Sequence, residues 1–209
     1  AGNYYFENGA SMLLTHTITR VLDKDGKTES GEIVLPQNAA ILNLRTIKQN
    51  TYEIVEPEII DHKQSISAPN LAVGDFIEVE YVTWKKPQDP SNPSVVLDPR
   101  FYFGMLMTPL LHSEYTVEYP ASWNMQYVLR GNRTTDITPT CQTKEDRTRC
   151  VTSIENISPY ITEPNSLQLD DFIPNIQYYS NYSWEKARLR LANTMYSKMT
   201  TTPYVQNYL

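Results

Sequence analysis

Polar and apolar residues alternate along most of this chain. In "MLLTHTITRVLD", Thr15, Thr17 and Thr19 fall on one side and Leu14, His16 and Ile18 on the other, the period of a half-buried strand. "KDGK" follows as a hairpin signal of the Asp-Gly type, and "SGEIVLP" reads as the partner strand. "AAILNLRTIKQNTYEIVEPEII" sets Leu42, Leu44 and Thr46 against Asn43, Arg45 and Ile47, turns at Gln49-Asn50 and resumes at "YEIVEPEII". "DFIEVEYVTW" and "SEYTVEYP" repeat the grammar, and "NMQYVLRGNRTT" adds another strand. So many short β-rich runs predict an all-β fold, an antiparallel sandwich over residues 1–182.

Two stretches break the pattern. "KKPQDPSNPSVVLDPR", residues 85–100, holds four prolines and reads as a long extended surface loop. "YSWEKARLRLANTMYSKM" opens on Ser183, a plausible N-cap, and places Trp184, Ala187, Leu191, Met195 and Met199 at helical spacing, with Ala192 and Tyr196 widening the stripe. Residues 183–209 are therefore expected to begin with an amphipathic helix that packs on a neighbouring domain or on the sandwich. Trp184, Leu191 and Met195 are the packing candidates, and the chain is expected to continue into a further domain. The polar face of the helix is not uniformly basic, which argues against a membrane-surface role.

Composition narrows the function classes. With 209 residues the chain can bury a substantial core, and 40% hydrophobic with 11% aromatic residues are the proportions of a folded protein. A net charge of -6 disfavours a nucleic-acid partner, which would call for clustered Lys and Arg. No run of about 18 apolar residues is present, so no transmembrane segment is expected. The two cysteines, Cys141 and Cys150, bracket a charged, turn-like octet and could face one another at the base of a hairpin. A disulfide is the favoured reading; it would stabilise by roughly 2–3 kcal/mol and imply an oxidising compartment. A metal site and a catalytic thiol are the rivals, but His16, His62 and His112 are scattered and none stands at ligand spacing, so no metal or other cofactor is expected.

Candidate chemistry is sparse. Glu78 and Glu80 point to one face of a strand, with Cβ atoms roughly 6–7 Å apart, a separation open to a carboxylate-dependent hydrolase. Because Ile77, Val79 and Tyr81 alternate with them, the simpler expectation is the solvated face of a sheet strand. Glu53, Glu56, Glu58 and Asp61 spread around a proline, and Asp170 and Asp171 are expected in a loop; neither group has the spacing of a calcium loop. There is no nucleophile elbow, dinucleotide fingerprint or P-loop, so no catalytic residue is assigned. Trp84, Tyr102 and Trp123 are possible binding aromatics for a glycan or peptide ligand, against the alternative that they fill the core or a domain junction. Sequons occur at Asn132, Asn156 and Asn181.

Three segments carry a family resemblance: "LAVGDFIEVEY", then "TPLLHSEYTVEYPASWNMQY", then "ENISPYITEPNSLQLDDFIPNIQYYSNYSWEKA". In this order they resemble the bacterial family of unknown function whose domain precedes a transglutaminase-like cysteine-protease core. The resemblance implies an exported, Ig-like β-sandwich with a short C-terminal helical extension, periplasmic or at the cell surface. Its partner would be a transglutaminase-like domain in the same polypeptide, for which this chain would be a non-catalytic accessory or binding module. The Cys, His and Asp of such a core cannot be assigned to residues here, since the chain would reach only its first helix. Gln49-Asn50-Thr51 stands where relatives have a Pro-Asp-Gly turn, and the cysteine pair lies outside the family pattern.

Overall fold

The computed structural model describes residues 1–57, 65–133, 137–161 and 169–199. In chain order the elements are β1 (Gly2–Tyr5), β2 (Ser11–Arg20), α1 (Lys24–Ser30), β3 (Glu32–Val34), β4 (Ala40–Ile47), β5 (Ile54–Val55), β6 (Ser65–Ser67) and β7 (Phe76–Lys85). There follow β8 (Val96–Leu97), β9 (Phe101–Tyr102), β10 (Leu110–Pro120), β11 (Met125–Arg130), β12 (Thr140–Lys144), β13 (Arg147–Ile157), α2 (Leu169–Phe172), β14 (Asn175–Ser180) and α3 (Trp184–Met199). The chain is mostly β, with several antiparallel sheets and a C-terminal helix.

One sheet of eight strands, ordered β12-β13-β10-β1-β2-β7-β4-β5, forms the main layer. Its pairings are antiparallel except between β1 and β10, which run parallel with Asn3 opposite Val117. A smaller sheet, β11-β14-β8 with β9 also on β14, covers one part of the inner face. The shared core contains Tyr115 and Val117 of β10, Cys150 and Ile154 of β13, and Ile176 and Tyr178 of β14. The β3-β6 pair lies over the other part, where Ile33 and Ile66 pack on Val21, Leu44, Ile77 and Val79. The alternation read from the sequence thus places Ile77, Val79 and Leu44 inward. Leu42 escapes it: a register shift between Ile41 and Asn43 inserts an extra residue, and Leu42 is left exposed.

Three expectations need correction. "KDGK" is no hairpin turn; it begins α1, whose N-cap Asp23 accepts a hydrogen bond from the Gly26 amide at 2.7 Å, and the expected partner strand pairs with β6 instead of β2. The Asp23 side chain satisfies an amide that a helix start leaves free, which favours the helix over a Gly turn. Residues 85–100 are not surface throughout, because Val95 and Val96 are buried, β8 joins the small sheet and Asp98 is 1% exposed. Asp170 and Asp171 lie in α2 rather than a loop.

The favoured cysteine reading holds. Cys141 and Cys150 are directly opposed on the β12-β13 hairpin and form a disulfide. At the turn before β7, Gly74 has φ +99, and a Cβ there would collide with the Gln49 side chain. The next residue, Asp75, accepts from the amides of Ala72 (2.9 Å) and Gln49 (3.0 Å) and from Lys48 Nζ (2.5 Å), tying this turn to the one after β4. Burial pushes the Asp75 carboxyl up, but those donors outweigh it and hold it below the usual aspartate range.

Candidate functional site

On the outer face of the main sheet, the neighbouring strands β2, β7 and β4 bring together His16, Glu78, Glu80, Asn43 and Arg45. The register places Glu80 opposite both His16 and Asn43, and Glu78 opposite Arg45. Glu78 accepts from Arg45 Nε at 2.6 Å on one oxygen, while His16 Nε2 stands 2.9 Å from the other. Asn43 donates to Glu80 at 2.5 Å. The plain solvated-face expectation is therefore corrected for Glu78, which is 8% exposed under its partners. Burial pushes its carboxyl up, and the hydrogen bonds from Arg45 and His16 more than offset this, holding it below the usual glutamate range. A carboxylate so held is a poor general acid, since it keeps no proton near neutral pH.

A second cluster lies between the sheets and was not visible in the sequence. Asp98, at the end of β8, accepts from Asn3 Nδ2 (2.6 Å) and Tyr5 OH (2.7 Å) of β1 and from Tyr115 OH of β10. Burial raises the Asp98 carboxyl above the ordinary aspartate value, although all three donors oppose the shift. Burial next to Asp98 likewise raises both tyrosines, so they remain hydroxyl donors. The cluster fastens the N-terminal strand to both layers. Its only signal in the sequence was the apolar pair Val95-Val96 inside a proline-rich run, where four prolines suggested a loop.

The candidate aromatics separate. Trp123 is 9% exposed and packs beside Tyr5, with ring centroids 5.9 Å apart, so it belongs to the core. Tyr102 is half-buried and donates to Asp170, which is also ion-paired with Arg100. Trp84 alone of the three is exposed, at 55%; it stacks on Phe6, which meets Tyr4 edge-on, and Arg147 lies over the Tyr4 ring. No continuous line of the three forms.

The C-terminal helix forms at the predicted place. Leu191 and Met195 are 63% and 56% exposed, so these two do not pack on the sheets, and the Trp184 side chain lies outside what is described. A shallow hollow on the helix is lined by Glu185, Ala187, Arg188 and Leu191. Glu58, Asp61 and His62 also fall outside the described residues. Among the described residues, no group of His, Cys, Asp or Glu is arranged to hold a metal ion, and no helix is long and apolar enough to cross a membrane. The disulfide fits an oxidising compartment.

Comparison with known proteins adds a family and a fold. No curated protein matches the chain. A crystal structure described as “a putative protease” from Parabacteroides distasonis superposes with a TM-score of 0.67 at 14% identity, over 87% of this chain and 39% of that one. The chain therefore spans well under half the length of that protein, and at this identity the likeness is one of fold. Residues 8–161 match the model of a family described as a domain of unknown function with solved structure, DUF3857. Because that match covers most of the chain, this protein belongs to the DUF3857 family.

Proposed function

We propose that this chain is a non-catalytic accessory module, an Ig-like sandwich in an exported bacterial protein, which precedes a transglutaminase-like core and either packs against it or presents its substrate. The observation that carries the reading is the solvent-facing apolar surface of α3, Leu191 and Met195, directly after the last strand of the small sheet. Exposed apolar side chains of this size on a helix that leaves a finished fold are suited to covering by another domain. The fold likeness to a longer protein described as a protease supports it. Both outer-face glutamates are already held by Arg45, His16 and Asn43, which speaks against a carboxylate hydrolase on β7.

The test is amide hydrolysis and transamidation by the parent polypeptide, with and without residues 1–182 and with Leu191→Asp/Met195→Asp. Loss of activity or of substrate preference in both altered forms supports an accessory role. Full activity after deletion, or a parent polypeptide without such a core, removes it. The runner-up is an independent glycan- or peptide-binding module, favoured by the exposed Trp84 ring braced on Phe6. It predicts ligand binding by the isolated chain that Trp84→Ala abolishes.

A further inference from the structure

The two ends of the disulfide have different surroundings. Cys141 is exposed on β12, the edge strand of the main sheet, and among the described residues no strand lies beyond it. Cys150 is 1% exposed, sits in the shared core opposite Val117, and its Sγ lies 3.6 Å from the Tyr119 hydroxyl. A thiolate attacks a disulfide along the sulfur-sulfur axis, from the side opposite the sulfur that leaves. Attack on Cys141 comes from the open edge of the sheet, whereas attack on Cys150 would have to come through the core past Val117 and Tyr119.

We propose that this disulfide is a redox-sensitive clasp on the edge strand β12, opened in one direction only: Cys141 is the sulfur attacked and Cys150 the sulfur released. The reductant is a low-molecular-weight thiol. Its thiolate bonds to Cys141 Sγ, the bond between the cysteines breaks, and the electron pair leaves on Cys150, which accepts a hydrogen bond from the Tyr119 hydroxyl. Burial pushes the Tyr119 hydroxyl up, so it stays protonated to serve as that donor. A second thiolate then attacks the reductant's sulfur in the mixed disulfide and releases Cys141. The net change is two electrons and two protons to the cysteines, with the two reductant thiols oxidised to one disulfide. Once open, β12 is joined to β13 in this hairpin by its ladder and by the hydrogen bond between the Thr143 and Thr148 hydroxyls (2.9 Å), and all five of its residues are exposed.

The test treats the folded chain with glutathione, quenches with N-ethylmaleimide and maps both cysteines by mass spectrometry. The expected trapped species carries glutathione on Cys141 and maleimide on Cys150, with hydrogen exchange rising at residues 140–144 and unchanged in the β10-β13 ladder. Glutathione on Cys150, or reduction no faster than global unfolding in the same buffer, overturns the proposal. Tyr119→Phe keeps the ring and removes the donor, and is expected to slow the reduction by about threefold to tenfold. An unchanged rate in a variant of wild-type stability overturns the role of Tyr119.

Discussion

Replacing Arg45 with Met tests whether the outer-face cluster is built around Glu78. The substitution keeps most of the side-chain length and removes the donor 2.6 Å from the Glu78 carboxylate. Glu78 is left with His16 alone on a side chain that is 10% exposed. A hydrogen bond to a charged group contributes about 1.5–3 kcal/mol, and an exposed ion pair about 0.2–1 kcal/mol. Because the Arg45 side chain is 31% exposed, the expected cost lies in the lower part of the first range, about 1.5–2 kcal/mol at neutral pH. For a chain of this size that corresponds to a melting point lower by about 3–8 °C. The assay is urea unfolding of wild type, Arg45→Met, Glu78→Gln and the double variant, repeated across acidic pH. The double variant buries no uncompensated charge and should regain at least half of the loss. The carboxyl of Glu78 is held below its unfolded value in the wild type, so its contribution is present above that unfolded value and lost as pH falls through the folded one. The gap between wild type and Arg45→Met should therefore narrow over that window. A cost below about 0.5 kcal/mol, or a gap independent of pH, would refute the reasoning.

Asp98→Ala strands three buried donors and is expected to destabilise by about 3–5 kcal/mol, measured by chemical denaturation. Asp98→Asn should cost less and should remove a pH dependence. The raised carboxyl of Asp98 contributes stability that is full below its unfolded pKa and is lost as pH rises through the folded one, so wild type should weaken over that window relative to the variant. Trp123→Ala should cost about 3–5 kcal/mol as a core truncation, whereas Trp84→Ala, on an exposed ring, should cost less than about 1 kcal/mol in the same assay. Gly74→Ala forces a side chain into a left-handed turn and against Gln49, with an expected loss of about 1–3 kcal/mol in thermal unfolding.

What was legible in the sequence was what depends on period and on local turn chemistry. The alternation of β7 and β10 gave their inward faces because one side of each strand meets a core, and the turn-like octet between Cys141 and Cys150 announced the β12-β13 hairpin. Periodicity cannot show which strands become neighbours. The parallel β1-β10 pair joins residues more than a hundred positions apart, and no local pattern encodes that partnership. The cluster around Asp98 was hidden for the same reason: Asn3, Tyr5, Asp98 and Tyr115 are ordinary residues until the topology assembles them. Glu78 and Glu80 were visible as a pair, but Arg45 and His16, which decide the chemistry of Glu78, stand on other strands. Asp23 shows the converse, where a cap of one side chain prevailed over a familiar hairpin dipeptide.

The position of β1 bears on the order in which the protein folds. The amino group of Ala1 bonds to the carbonyl of Glu114, a separation of 113 residues, and β1 stands between β2 and β10 in the middle of the widest sheet. During synthesis from the N-terminus the β1-β2 hairpin emerges early, yet β1 must wait with one edge unpaired until β10 follows. Until then the two halves of the sheet cannot join, and two strand edges remain open to other chains. Closing so long a loop makes this step slow by the standards of local pairing. The return of the middle of the chain to its beginning is therefore expected to come late in the folding of this domain.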